Sequence, residues 1–488
     1  MNRRAFLLAS AALLVVPNDA GARAGGGHNY RASSRSSSSR SSSSRSSSSR
    51  STWSPSSSGS SGRTYSGGGS SHSSEGEFLF LVIFGFVVVG FMLVHALNEM
   101  KEQHTWSDDL DDDELLPPAR QINTAPRLAA LQAADPDFDL AAFLGHVEEA
   151  FQAIQAHWSV QNMAPARRFI SDGVFNRFET YLDLDRMQGR RNVVSGVEIL
   201  NREVSAVSQV GDYDSVTVRI TAALNDKTFS TKDGKILHNK DDLFTEHWSF
   251  LRRKGVASRA GGFTDDGCPS CGAPLDINQT AKCTHCSALV NSGEYDWVLA
   301  EISQNIPHVT SEATAPGVAL QLLEDRASVA IWSLIDAALR GQPERARRLV
   351  SPEVYSEMTR AKASGRWWAV TDVGIGAIRT VGYRQVADTE IAVLELDWSG
   401  TRVERPAPKD RNPVGRTFEA VHQISMRRTA GASSVPRGLA TAGCGSCGGP
   451  LDRTIQGSCP WCQAPLVASP GDWVLSEAPR IVFRPAVD

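Results

Sequence analysis

All eight cysteines of the chain fall into four C-x-x-C pairs: Cys268/Cys271, Cys283/Cys286, Cys444/Cys447 and Cys459/Cys462. Each pair makes a tight knuckle with converging sulfurs. The pairs also come in twos, with eleven residues between Cys271 and Cys283 and again between Cys447 and Cys459. Two knuckles supply four thiolates at tetrahedral angles, a closed structural zinc site with no open position. Soft sulfur donors select zinc or iron over calcium or magnesium. Two structural ions are therefore expected, zinc with iron as the alternative, one held by 268–286 and one by 444–462. In so small a hairpin the metal is in effect the core, with an apparent binding energy of about 10–16 kcal/mol. Redox or disulfide use of the pairs is the rival. A redox C-x-x-C stands as a single pair before a helix, whereas here the pairs are doubled, twice.

No other constellation carries chemistry, so no catalytic residue and no further cofactor is expected. His247 and His422 sit in the matching segments EHWSFLRR and VHQISMRR, which reads as equivalent strand positions with structural roles. Gly374 and Gly376 lack the rest of a phosphate loop. The arginine pairs 167/168, 252/253, 347/348 and 427/428 read as solvated faces, with anionic headgroups as the alternative.

The knuckles are carried by an internal duplication. ARRFIS at 166–171 recurs as ARRLVS at 346–351, CPSCGAPL at 268–275 as CGSCGGPL at 444–451, and DWVLAEI at 296–302 as DWVLSEA at 472–478. Each copy opens with helical periodicity. In the first, Phe143, Val147, Phe151, Ile154 and Trp158 share one face, and Pro165 opens a second helix through Phe169, Phe175, Phe178 and Leu182. Alternation follows, as in Val216, Val218 and Ile220, with turn signals at Gly211-Asp212 and Asp233-Gly234. Helices first and strands afterwards predict an α+β domain with helices on one face of a curved antiparallel sheet. The ribbon is read as an insertion between a strand ending in Arg-Arg and a strand beginning with Asp-Trp. Gly272 and Gly448 relieve the turn after the second cysteine of their knuckles.

The front of the chain reads as membrane targeting. Arg3-Arg4, the apolar run Ala5–Val16 and Ala22-Arg23-Ala24 make a secretory signal over 1–24, cleaved after Ala24 or retained as an anchor. Residues 25–77, with Arg35, Arg40, Arg45 and Arg50 among serines, have too few apolar side chains to fold. Phe78–Leu97 has no formal charge, and twenty helical residues span roughly 30 Å, the thickness of a bilayer core. It is expected to be the one transmembrane helix, followed by an acidic linker at 98–135. Reduced thiols point the C-terminal region to the cytoplasm. The formal net charge of −4 and ribbons poor in Lys and Arg argue against nucleic acid.

Phe138-Asp139-x-x-x-Phe143-Leu144, the segment Trp248-Ser-Phe250-Leu-Arg252 and Asp296-Trp297-Val298-Leu299 resemble the Tim44-like domain, a family named for the mitochondrial import-motor tether. The likeness covers 136–305 and, more loosely, 316–480, where Gln423 stands for the strand tryptophan. It implies two tandem cone-shaped domains like nuclear transport factor two, 136–308 and 316–482, each with a concave apolar pocket and an inserted zinc ribbon. It also implies an adaptor at the bacterial inner membrane that binds protein or lipid partners. The alternative is an enzyme or small-ligand carrier using the same cavity. Oligomeric state and partner identity are not readable from the residues.

Overall fold

The structure is a computed structural model. It describes residues 123–486 apart from 210–211, 260, 276–280, 305–319, 406–415, 432–443, 445, 448–450, 452–456, 469–470 and 480–481. The expected signal, Ser/Arg arm and Phe78–Leu97 helix lie outside the described residues, as do Gly448 and most of the linker. Among the described residues no helix is long and apolar enough to cross a membrane.

The end of the expected linker is helical: α1, Ala125–Ala134, buries Leu131 and donates from Arg127 to the carbonyl of Val207 at 3.0 Å. Then come α2 (Leu140–Ser159), a 3-10 turn (Ala164–Arg168) and α3 (Asp172–Met187). The strands β1 (Arg190–Ser208), β2 (Tyr213–Ser230), β3 (Ile236–Arg253) and β4 (Val298–Ser303) follow. The second copy repeats the order with α4 (Leu320–Arg340), a 3-10 turn (Pro343–Ala346), α5 (Pro352–Ala363), β5 (Trp367–Val386), β6 (Thr389–Arg405), β7 (Arg416–Thr429) and β8 (Val474–Glu477). Two four-stranded antiparallel sheets result, β1-β2-β3-β4 and β5-β6-β7-β8.

The predicted apolar face of α2 is its buried face, and Asp139 starts the helix by accepting from the backbone N–H of Ala142 at 2.7 Å. The helix expected from Pro165 through Leu182 is interrupted. Ile170 bridges Leu299 in parallel, with Leu299 N–H donating to Phe169 (2.8 Å) and Ser171 N–H to Leu299 (2.9 Å). Backbone groups engaged by a strand cannot also close helical turns, so Ser171 recaps the chain and α3 begins anew. The second copy does the same with Val350, Leu475 and Ser351.

The sheets are bent by bulges at matching places, at Ser195/Glu198, Ile199/Asn201 and Val204/Ala206 in β1 and at Thr371/Gly374, Ile375/Ala377 and Thr380/Gly382 in β5. Gly376 falls in one of these bulges and Gly374 pairs at the edge of another, so both belong to the bent strand and not to a phosphate loop.

One hydrophobic cluster runs through both copies. α3 packs against α4, with the rings of Tyr181 and Trp332 5.2 Å apart. Arg177 of α3 donates to the carbonyls of Ile302 (2.8 Å) and Ile375 (3.3 Å), and Gln304 N–H donates to Gly376 (2.9 Å) across the neighbouring sheet edges. Asp325 accepts from the Ser171 hydroxyl at 2.5 Å, close enough that a Cβ on Gly173 would lie 1.9 Å from its carboxylate. The copies part company here. α3 is buried or half-buried along nearly its whole length, whereas α5 leaves Pro352, Glu353, Ser356, Thr359, Arg360 and Lys362 exposed.

Candidate metal centres and a neighbouring cavity

Each four-cysteine segment lies where expected, between β3 and β4 and between β7 and β8. The knuckles are miniature hairpins. Cys268 N–H donates to Ala273 (2.7 Å) and Gly272 N–H to Cys268 (2.8 Å), and the antiparallel bridge Gly267–Pro274 closes the loop. Cys283 with Ala288 and Cys459 with Ala464 repeat this pattern at 2.9 and 2.8 Å. The residue after the second cysteine is left-handed in each: Gly272 at φ +74, Ser287 at 63 and Gln463 at 60. Gly272 relieves this turn as expected, Gly448 lies outside the described residues, and Ser287 and Gln463 adopt the turn at some strain.

The sulfurs converge as the spacing predicts. Cys268–Cys286 and Cys271–Cys283 are 3.8 and 3.9 Å apart, and Cys444–Cys462 and Cys447–Cys459 are both 3.8 Å apart. A tetrahedron of sulfurs about 2.3 Å from a central zinc has edges of about 3.8 Å, while a disulfide closes to about 2.05 Å. All eight cysteines are free thiols, and each set of four could hold a metal ion. In every pair the first cysteine is buried and the second exposed. The clustered sulfurs share their charge unevenly: the backbone N–H of Ala288 draws the Cys286 thiol down to about 6, while Cys271, despite the backbone N–H of Ala273, is pushed up to about 12 by its hydrogen bond to Cys286. The donor set fits zinc and equally fits iron.

The arginine pairs form the mount of the ribbons. Arg168 donates to the carbonyls of Thr264 (2.8 Å) and Asp265 (2.6 Å) and pairs with Asp266 (2.9 Å) in the turn entering the first ribbon. Arg167 is buried against Asp172, which also accepts from Asn291 at 3.1 Å where the chain leaves the ribbon. Arg252 is buried, pairs with Asp135 at 2.8 Å and lies over the Trp297 ring. Arg253 pairs with Glu294 and Arg427 with Glu353 on the surface. Neither a solvated face nor a headgroup site describes these arginines as a group: several are fastenings inside the fold.

The two histidines are not equivalent. Met426 pairs with Leu475 as Phe250 pairs with Leu299, so β7 matches β3 with an offset of 176, one more than the matched octapeptides imply. A one-residue slip exchanges the faces of a strand. His422 thus corresponds to Glu246, and His247 to Gln423. Both Glu246 and His422 accept an indole N–H, from Trp248 (2.9 Å) and Trp398 (2.9 Å). The strand tryptophan of the first copy is matched by Ile424, and the second copy draws its indole from β6. His247 lies within 3.3 Å of the Ser205 hydroxyl, and burial pushes its pKa down to about 4.

Beside the first ribbon lies a cavity of about 450 Å³. It is lined by the aromatic residues Phe138, Phe143, Phe263 and Trp297, the carboxyls Asp137, Asp139 and Asp296, and His146, Ser258 and Arg259. Burial raises the Asp296 carboxyl above the usual range. Five of these residues, Phe138, Asp139, Phe143, Asp296 and Trp297, belong to the motifs that carry the family resemblance and had no site reading. Ser258, Arg259 and Phe263 belong to an irregular loop that carries no sequence signal.

The helices α1 to α3, the strands β1 to β3 and the loop to Phe263 form one contiguous stretch. Residues 124–263 match the Tim44-like domain. The match stops short of the ribbon and β4 and does not extend into the second copy. The Tim44-like family consists of non-enzymatic adaptors associated with membranes and proteins. A solved structure titled "Ntf2 like protein involved in plasmid conjugation" is similar at 10% identity, covering 54% of this chain and 87% of its own, with a TM-score of 0.12. So low a score carries no argument. No curated protein is similar enough to this chain to count as a match.

Proposed function

We propose that the protein is a membrane-anchored adaptor built from two Tim44-like units, 136–308 and 316–482, each shaped like nuclear transport factor two and braced by a structural zinc ribbon. In this reading Phe78–Leu97 holds the units at the inner membrane of a bacterium, on its cytoplasmic side, behind a signal at 1–24 and a Ser/Arg arm at 25–77. The acidic remainder of 98–135 spaces them from the bilayer, and the units bind protein or lipid partners. The zinc ligands are Cys268, Cys271, Cys283 and Cys286 in one ribbon and Cys444, Cys447, Cys459 and Cys462 in the other.

The observation that carries this reading is the Tim44-like match over 124–263, joined to a second copy with the same element order. Interiors packed with Trp158, Phe178 and Trp248 in one copy and Trp332 and Trp398 in the other favour binding at outer surfaces over chemistry in a cone. The test is a crosslinked pull-down from membranes with Phe78–Leu97 intact. Reproducible recovery of a protein or lipid that is lost when residues 136–482 are deleted supports the adaptor. Recovery that persists after that deletion overturns it.

A further inference from the structure

The two copies differ at one position on the first helix. The buried positions of α2, Phe143, Val147, Phe151, Ile154 and Trp158, recur as the buried Leu323, Ala327, Ile331, Leu334 and Ala338 of α4. This alignment sets His146 against Arg326 and Asp296-Trp297 against Asp472-Trp473. In the second copy Arg326 donates from Nε to the carbonyl of Trp473 at 3.2 Å, with the charge of Asp472 acting on its guanidinium. In the first copy the shorter imidazole of His146 stands at that position, and the space beside Asp296 and Trp297 is the 450 Å³ cavity.

We propose that this cavity is a binding site for an organic cation, a guanidinium or alkylammonium group. The second copy places a guanidinium of the chain itself against the same Asp-Trp pair, so the first copy is built to receive one from elsewhere. Three carboxyls face one exposed guanidinium, Arg259, in the lining, which favours positive charge. The ring faces of Phe138, Phe143, Phe263 and Trp297 attract cations through their quadrupoles, and Trp297 already holds Arg252 at 4.4 Å. A cation beside Asp296 would also oppose the burial that raises its carboxyl. The proposal stands independently of the adaptor reading.

The test is calorimetric titration of the full chain in detergent with Nα-acetyl-arginine amide (below, arginine amide), its uncharged isostere Nα-acetyl-citrulline amide (below, citrulline amide) and acetyl-Phe-Arg-amide. Arginine amide is expected to bind saturably and citrulline amide at least roughly tenfold more weakly. His146→Arg would fill the cavity with the chain's own guanidinium, weakening arginine amide at least roughly tenfold without lowering the melting temperature. Asp296→Asn would weaken it similarly, and if that variant does not fold, His146→Arg decides. A peptide that binds about tenfold tighter than arginine amide identifies a basic protein segment as the source, and equal affinity identifies a small free cation. The site is refuted if citrulline amide binds as well as arginine amide, if His146→Arg binds like the parent, or if nothing binds by about 10 mM.

Discussion

The guanidinium of Arg428 lies 4.8 Å from the ring centre of Trp473, as that of Arg252 lies 4.4 Å from that of Trp297. In each copy an arginine at the end of the third strand is stacked on the tryptophan that opens the fourth, so the root of the inserted ribbon is clamped from both sides. The first clamp is the drier: Arg252 and Asp135 are both buried, whereas Arg428 is half-buried where it reaches the buried Glu390 at 2.6 Å. Arg252→Ala strands a buried carboxylate and should cost about 3–5 kcal/mol in urea unfolding. Arg428→Ala should cost clearly less, about 1–2 kcal/mol. Equal losses would contradict the difference in burial.

Metal content should follow the cysteines one ribbon at a time. The purified chain should carry two zinc or iron ions, Cys268→Ser one, and Cys268→Ser with Cys444→Ser none, by plasma emission analysis. Chelation should lower the melting temperature of the parent and leave the double variant unmoved. Paired oxidation of the sulfurs in the freshly purified chain would contradict this expectation.

The contact between the copies should respond to pH through Asp325. Burial, opposed by the Ser171 hydrogen bond and aided by Asp172, raises its carboxyl to about 8. The folded chain therefore holds a proton that the unfolded chain, with an ordinary carboxylate near 4, has released. Stability from this group is full below about pH 4 and is lost as the pH rises toward 8. Between pH 5 and 8 the parent should lose stability with rising pH, and Asp325→Asn should flatten that slope by up to about 1.4 kcal/mol per pH unit. Thermal melts across that range, with the metal kept saturating, would measure it; an unchanged slope would remove Asp325 as the cause.

Gly173 is the tightest point of the same contact. Gly173→Ala puts a methyl 1.9 Å from the Asp325 carboxylate and 3.0 Å from its backbone carbonyl, so the side chain must turn away and give up its bond to Ser171. A loss of about 1–3 kcal/mol is expected, partly recovered in the double variant with Asp325→Ala. Unfolding curves of the two variants would show whether the losses are coupled.

Much of this was legible in the residues because its causes are local. Cysteine spacing sets knuckle geometry over a few residues, and the face of α2 is written by its own period. The interruption at Phe169–Ser171 was not legible, because its cause is Leu299, far along the chain. The register of β7 escaped for a related reason. A short apolar octapeptide tolerates a one-residue slip, and only pairing with β8 shows which face Ile424 and Met426 take. The cavity left no signal because a third of its wall is an irregular loop and much of the rest looked like ordinary core.

The enclosed α3 and the wet α5 give the pair of copies a direction. A third unit docking as the second does would need an apolar flank where Glu353, Ser356 and Arg360 now meet solvent. The succession is thus finished on that side, and a partner approaching there meets a charged helix in place of the greasy seam that joins its two predecessors.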